Sequence, residues 1–462
     1  MYYEDIREIH QIMLALESEP SKLSKLDILN EHRNNALLKE LIFLACSPRH
    51  NFYIKQLPNF GSSITTQLHY DMSLIDVIKL FKTDVTSVGL RGNASYNALL
   101  EYMPSMPPEM LDIFQRVILK NLRIGATTKT FNKIWGDDFI PEVPCIKARE
   151  NSVKNLANIS YPAYSQTKYD GTRLIAQWSA KLGKMVLQTR NGSLFYDIDA
   201  VHEDASSLMS NSILNDGFGH ASFIDGELVF ADATTGVLLN RKQSNGLASK
   251  SIKGTLTASD KQKYDPIYLA WDLVNSDNPT RPYCNRLDAL ASYVDVYPSI
   301  QIAETTEVFS LDEANALFEA ARANGEEGTI LKNKKAPWEN TRSKHLVKFK
   351  EFNEIDLRII DINSGGQGTK NANTLGSIVC ATDDGMIKTS VTFLVSDVSG
   401  FSEEDRIAYW EDPDLVLGKI VTVKYNELIL GKNSDVWSLF LPTLVEVRHD
   451  KDTTNTFEEV KK

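Results

Sequence analysis

Apolar positions in the first 148 residues recur at helical spacing. Ile6, Ile9, Met13, Leu14 and Leu16 fall near one face, and so do Leu37, Leu38, Leu41, Ile42 and Leu44. Pro107-Pro108-Glu109 opens a further helix, because proline is tolerated in the first turn and an acid there faces the positive end of the dipole. Phe114, Val117, Ile118 and Leu119 carry that helix to Leu122. Gly125 ends it, and Thr127 or Thr128 can cap another through Trp135. From Tyr161 the pattern changes to short apolar or alternating runs. These are Leu174–Ala176, Met185–Leu187, Phe223-Ile224, Leu228–Phe230, Ile267–Trp271, Thr329–Leu331 and Leu346–Phe349, with a helix over Leu311–Ala323. Beyond Glu351 come Leu357–Ile360, Ile378–Ala381, Ile387–Phe393, Lys419–Val423 and Thr443–Val447, punctuated by Gly365-Gly366 and Asp384-Gly385. Short strands at that spacing suit a small barrel or sandwich. The pattern therefore predicts a multidomain chain: all-α over 1–148, α+β over 149–350 and all-β over 351–462. No internal repeat stands out.

Composition narrows the class. A chain of 462 residues, 42% apolar and 24% charged, has the make-up of a globular protein with several cores. No apolar run approaches the roughly 20 residues that span a bilayer, so no membrane is expected. The start, Met-Tyr-Tyr-Glu-Asp, lacks the basic-then-apolar pattern of a signal peptide. Cys46, Cys145, Cys284 and Cys380 lie far apart, which argues against a zinc site and a disulfide framework and for a reducing cytoplasm.

Net charge is −11, which by itself disfavours nucleic acid as a partner. Its distribution matters more than the sum, because basic stripes on an acidic body fit a phosphate track as well as ordinary solvated helix faces. Ile113 to Gly136 carries Arg116, Lys120, Arg123, Lys129 and Lys133 with no acid, and Lys332 to Lys350 carries seven basic residues against Glu339 alone. Lys120, Arg123 and Lys129 surround the corner at Gly125, where helix ends can present amides and cations to a phosphate.

The densest chemistry lies in Lys168-Tyr-Asp-Gly-Thr-Arg173. Asp-Gly suits a tight turn, so Lys168 and Arg173 are expected to flank it and address one pocket. A lysine amine is a nucleophile once neighbours or desolvation favour its neutral form. Thr189-Arg190-Asn-Gly192 puts an arginine beside another turn. Asp225-Gly-Glu227 and Glu326-Glu-Gly-Thr-Ile-Leu-Lys332 each set a carboxylate at the start of an apolar strand. Two carboxylates with nucleotide phosphates form a ligand set that Mg²⁺ prefers. Lys348-Phe-Lys350 alternates, so both amines project from one strand face.

Taken in order, these stretches and Arg448-His-Asp-Lys451 resemble the motifs of ATP-dependent DNA ligases, which belong to the covalent nucleotidyltransferases. The likeness extends to the T-even bacteriophage ligases through Asn35–Lys39, Tyr53–Lys55, Gly92–Ala94, Gln243–Lys250, Trp338–Lys344 and Leu439–Pro442, and so covers nearly the whole chain. It implies a helical DNA-binding domain, an adenylation domain and an oligonucleotide-binding (OB) fold. It implies sealing of nicks in duplex DNA, with ATP and Mg²⁺, in replication, repair and recombination. A monomer is expected, in host cytoplasm if the chain is phage-borne.

The resemblance also implies roles. Lys168 attacks the α-phosphate of ATP and becomes lysyl-AMP; AMP then passes to the 5′-phosphate at a nick, and the 3′-hydroxyl expels it. Gln166 reads the adenine amino edge, Thr167 adds backbone contacts and Trp271 stacks on adenine. Arg173 and Arg190 hold the ribose and the nick phosphate, and Arg342 is a further phosphate contact. Glu227 binds ribose or metal and Glu327 binds metal. Lys348 and Lys350 neutralise the α-phosphate. Lys451 orients pyrophosphate, provided that the barrel swings over the site. Thr443 and Glu446 depart from the pattern, standing where relatives often carry arginine. The alternatives are an RNA ligase, an mRNA guanylyltransferase or a non-catalytic DNA-binding relative. The long helical front and Gln166 disfavour the first two, and the intact Lys168, Glu227, Glu327, Lys348 and Lys350 disfavour the third.

Overall fold

The computed structural model describes residues 2–59, 72–84, 87–136, 139–140, 142–179, 183–219, 221–366, 371–392, 398, 401–431 and 434–461. Through residue 135 the described elements are helices: Tyr2–Ser18, Lys22–Glu31, Ala36–Cys46, Leu74–Phe81, Gly92–Tyr102, Pro108–Ile118 and Thr128–Trp135, with a single 3₁₀ turn at Met103–Ser105. Side chains cap several of the starts, Thr127 among them as expected. Asn35 accepts from the Leu38 amide at 2.9 Å, and Thr127 forms a reciprocal capping box with Thr130. The apolar faces meet in one core that includes Ile6, Ile9, Met13, Leu41, Phe81, Phe114 and Phe131. The helix expected to reach Leu122 stops at Ile118, because Lys120 and Arg123 both take positive φ ahead of Gly125.

Two five-stranded sheets follow. The first runs in the order Lys147–Glu150, Arg342–Lys350, Gly328–Asn333, Ala163–Lys168, Thr305–Val308; the second runs Lys184–Gln188, Thr172–Ser179, Phe223–Asp232, Tyr264–Val274, Ile300–Ile302. All neighbours are antiparallel except Lys147–Glu150 beside Arg342–Lys350 and Tyr264–Val274 beside Ile300–Ile302. Helices Asp199–Asp216, Arg241–Lys253 and Tyr283–Val294 pack on the second sheet, and Leu311–Ala323 packs on the first.

The remaining strands form an antiparallel sheet in the order Lys388–Thr392, Leu375–Ala381, Asn353–Ser364, Ile420–Tyr425, Thr443–Arg448, with a hairpin of Leu428–Leu430 and Trp437–Leu439. Its core is Ile355, Leu357, Ile378, Val391, Val421, Val423 and Leu444. The strand expected over 387–393 is seen as Lys388–Thr392, and residue 393 lies outside the described residues.

Candidate active site

Lys168 and Arg173 flank the Asp170-Gly171 turn and line one cleft, as the sequence analysis expects, but from strands of two different sheets. Lys168 is the last residue of its strand in the first sheet, and Thr172 opens a strand of the second sheet, so Tyr169-Asp170-Gly171 crosses from one sheet to the other. The crossing is tight. A Cβ on Gly171 would lie 2.4 Å from the Leu228 carbonyl oxygen and 2.8 Å from Glu227 Cγ, so only glycine lets the turn press on the second sheet. A cleft of about 700 Å³ opens there, lined from both sheets by Lys168, Glu327, Lys348 and Lys350 and by Arg173, Glu227 and Trp271.

Strand register explains which side chains meet. Lys168 lies opposite Gly328, and Gly328 lies opposite Lys350 on its other side. Gly328 has a φ of 143°, and a Cβ there would sit 2.1 Å from the Phe349 carbonyl oxygen. This glycine lets three strands draw together and leaves Glu327 between the two lysines. The Lys168 amine bonds one Glu327 oxygen and Lys350 the other. Burial pushes the Glu327 carboxyl up, but the two amines outweigh it and its pKa ends below the ordinary value. Lys348 pairs with Glu150 across the neighbouring strand at 2.8 Å.

Glu227 is in the opposite condition. Among the described residues no hydrogen bond or ion pair reaches its carboxylate. Burial lifts its pKa to about 8, and Glu327 and Asp225 add to the lift against Lys168 and Arg173. A carboxylate turned into a cleft without a cation suits a bound metal. Among the described residues no cluster of three or more His, Cys, Asp or Glu could hold one by itself.

Several expected ligand contacts have partners inside the protein. Arg173 forks onto Asp225, with Nε 2.9 Å from Oδ1, and its Nη1 donates to the Ile146 carbonyl at 2.9 Å. Its guanidinium is thus engaged within the protein at the wall of the cleft, 5.2 Å from the centre of the Trp271 ring. Gln166 is 1% exposed; its amide donates to Tyr283 Oη (3.1 Å) and Thr305 Oγ1 (2.8 Å), and its oxygen accepts from Lys332 Nζ at 2.5 Å. Thr167 bonds Glu304 through backbone (2.9 Å) and side chain (3.2 Å). Arg190 and Arg342 are exposed at the cleft.

The corner at Gly125 behaves similarly. The Lys120 amine donates to the carbonyls of Ser47 (2.7 Å) and His50 (2.6 Å), and burial lowers its pKa to about 8. Arg123 pairs with Asp112. Both cations are held on acceptors within the protein, although Lys120 is exposed as a residue and Arg123 half-buried; Lys129 is exposed on a helix. Lys451 is not among the cleft-lining residues: its amine bonds Asp356, which also accepts from Thr422 Oγ1 at 2.6 Å.

Sequence reasoning placed Asp225 and Lys332 in motif stretches without giving them a role, and gave Tyr283 and Arg241 none at this site. Lys332 is 4% exposed, with its amine 4.6 Å from the Tyr283 ring centre and 5.8 Å from that of Trp271, and burial lowers its pKa to about 7. Its alternation with Ile330 along a strand was the available signal. Arg241 stands in a locally basic stretch with Lys242, Lys250 and Lys253, a signal that points to DNA and not to this contact.

The model for the ATP dependent DNA ligase domain matches residues 145–350. The DNA ligase of Enterobacteria phage T6 is 30% identical over 98% of this chain and 98% of its own length, and that of Enterobacteria phage T4 matches to the same extent. The solved structure named Pmar-Lig_PreS3 superposes with a TM-score of 0.65 at 23% identity, covering 95% of this chain and 99% of its own, and so has the same fold.

Proposed function

The chain belongs to the ATP-dependent DNA ligases, and on that premise we propose that it seals nicks in duplex DNA through an AMP carried on Lys168. The observation that carries this reading is the Lys168 amine, held by Glu327 beside Lys350 and facing Glu227 in one cleft. The amine attacks the α-phosphorus of ATP: a nitrogen–phosphorus bond forms, the bond to pyrophosphate breaks and the amine gives up a proton. Glu327 and Glu150 are placeholders for phosphate. Incoming ATP exchanges their carboxylates for its own oxygens on Lys350 and Lys348, so the cations lose no partner as charge develops. Glu227 and Glu327 would hold Mg²⁺, which supplies further neutralisation on the phosphates.

Adenine is read by Trp271 stacking, by the Thr167 backbone and by the acceptor capacity left on Gln166. Arg173 positions Asp225 and the sheet, and Arg190, Arg342 and Lys129 meet DNA phosphates. Residues 1–148 serve as the DNA-binding domain, 149–350 as the adenylation domain and 351–462 as an OB-fold. The outer strands Lys388–Thr392 and Thr443–Arg448 of the last sheet touch, which suits a closed barrel.

The test is incubation with radiolabelled ATP or GTP, then with nicked DNA or nicked RNA. ATP is expected to label the protein and nicked DNA to discharge the label into a sealed strand. Labelling by GTP alone would favour a guanylyltransferase, sealing of RNA alone an RNA ligase, and no label a non-catalytic relative.

A further inference from the structure

Helix Arg241–Lys253 bridges the nucleophile turn and the C-terminal sheet. Its first residue carries a cation where the helix dipole disfavours one. That cation meets groups from two parts of the molecule. Arg241 Nε lies 3.2 Å from Asp170 Oδ1, in the turn that follows Lys168. Its Nη1 donates to Glu427 Oε1 at 2.9 Å, and its guanidinium lies 4.8 Å from the centre of the Phe440 ring. The same helix holds the turn a second time, because Thr172 Oγ1 donates to Asn245 Oδ1 at 2.7 Å. At its far end Arg91 and Tyr53 of the helical part donate to the carbonyls of Lys253 and Ile252.

We propose that Arg241 is a positioning residue that couples docking of the C-terminal unit to the geometry of the Asp170 turn, and that it serves sealing rather than self-adenylation. The proposal rests on the ligase reading above. Phe440 lines the cleft, and Glu427 lines the neighbouring hollow together with Asp170 and Arg241, while Lys451 stays on Asp356. Any arrangement that brings Lys451 to the cleft must turn a different face of the C-terminal unit toward it and so part Glu427 and Phe440 from Arg241. The contacts with Arg241 therefore belong to the stages in which AMP is already on the protein or on DNA. A single exposed ion pair contributes little, but here one guanidinium is shared by two carboxylates and a ring from separate segments. Losing it removes the link as a whole.

The test uses the full chain. Glu427→Gln is expected to slow sealing of pre-adenylylated nicked DNA about fivefold in single turnover and to leave ATP labelling of Lys168 unchanged; Arg241→Ala slows sealing about tenfold. The double variant should be no slower than Arg241→Ala, because both changes break one link. Arg241→Lys, which keeps the charge without the fork, should fall between wild type and Arg241→Ala. Unfolding midpoints equal to wild type confirm that the folds are intact. The proposal is overturned if the two losses multiply to about fiftyfold, if labelling falls in step with sealing, or if neither variant slows sealing while the wild type labels and seals. A wild type that takes no label sinks the ligase reading instead.

Discussion

The cleft between the two central sheets and the C-terminal sheet beside it hold the same residue types in opposite states. In the cleft, Glu227 makes no ion pair among the described residues, and burial pushes its carboxyl up to about 8 against the pull of Lys168 and Arg173. At the base of the C-terminal sheet, burial pushes the Asp356 carboxyl up too, but Lys451, Thr422 and Arg448 hold it below its ordinary value. Lysines differ likewise. Lys168, Lys348 and Lys350 project from paired strands into one space, whereas Lys451 follows its last strand and is kept on its own unit. The lesson is that the cleft leaves several amines and a buried carboxyl around open space, while the C-terminal sheet closes Lys451 onto Asp356; on the function proposed above, Lys451 would reach the cleft by movement of its unit.

The largest effect should come from the cleft. Lys168→Ala is expected to reduce covalent labelling by more than about a thousandfold while nicked-DNA binding, read by gel shift, persists. Retained labelling would remove Lys168 as nucleophile. Lys451→Ala should reduce labelling about a hundredfold and leave sealing of pre-adenylylated DNA within about twofold. Equal losses in both assays would erase the contrast between built-in and delivered lysines.

Smaller effects should appear in stability against pH, with opposite signs. Folded Glu227 keeps a proton that the unfolded chain releases between pH 4.5 and about 8, so its burial costs stability increasingly as pH rises through that window. Glu227→Gln should raise the unfolding midpoint by about 2 °C at pH 8.5, with the gain fading by pH 4.5. Asp356 is depressed, so it contributes stability above its unfolded pKa and loses it as pH falls. Asp356→Asn should lower the midpoint by about 2 °C at pH 7, with the deficit vanishing in acid. Shifts of the same sign in both variants would break the comparison.

Much of this was legible along the chain. Apolar and period-two runs located Leu174–Ala176, Phe223-Ile224 and Thr329–Leu331, and Ile6, Ile9, Met13 and Leu16 form the buried face expected of their helix, whereas Leu14 is 44% exposed on its other side. The strand that ends in Lys168 was not legible, because Ala163–Lys168 is polar where it lines the cleft. Helix Asp199–Asp216 was hidden by its serines, which satisfy themselves on carbonyls one turn back, as Ser206 does on His202. Residue types predicted the cluster around Lys168, but not that Arg173, Lys120 and Arg123 are engaged internally. Which cation faces a ligand depends on long-range partners such as Asp225 and the Ser47 carbonyl, and spacing carries no record of those.

Peptide mass mapping of protein incubated with ATP and Mg²⁺, before and after nicked DNA is added, tests the central claim most directly. The account predicts one AMP on the peptide that contains Lys168, lost on addition of nicked DNA as the strand is joined. AMP on any other residue, or strand joining with Lys168 never modified, would contradict it.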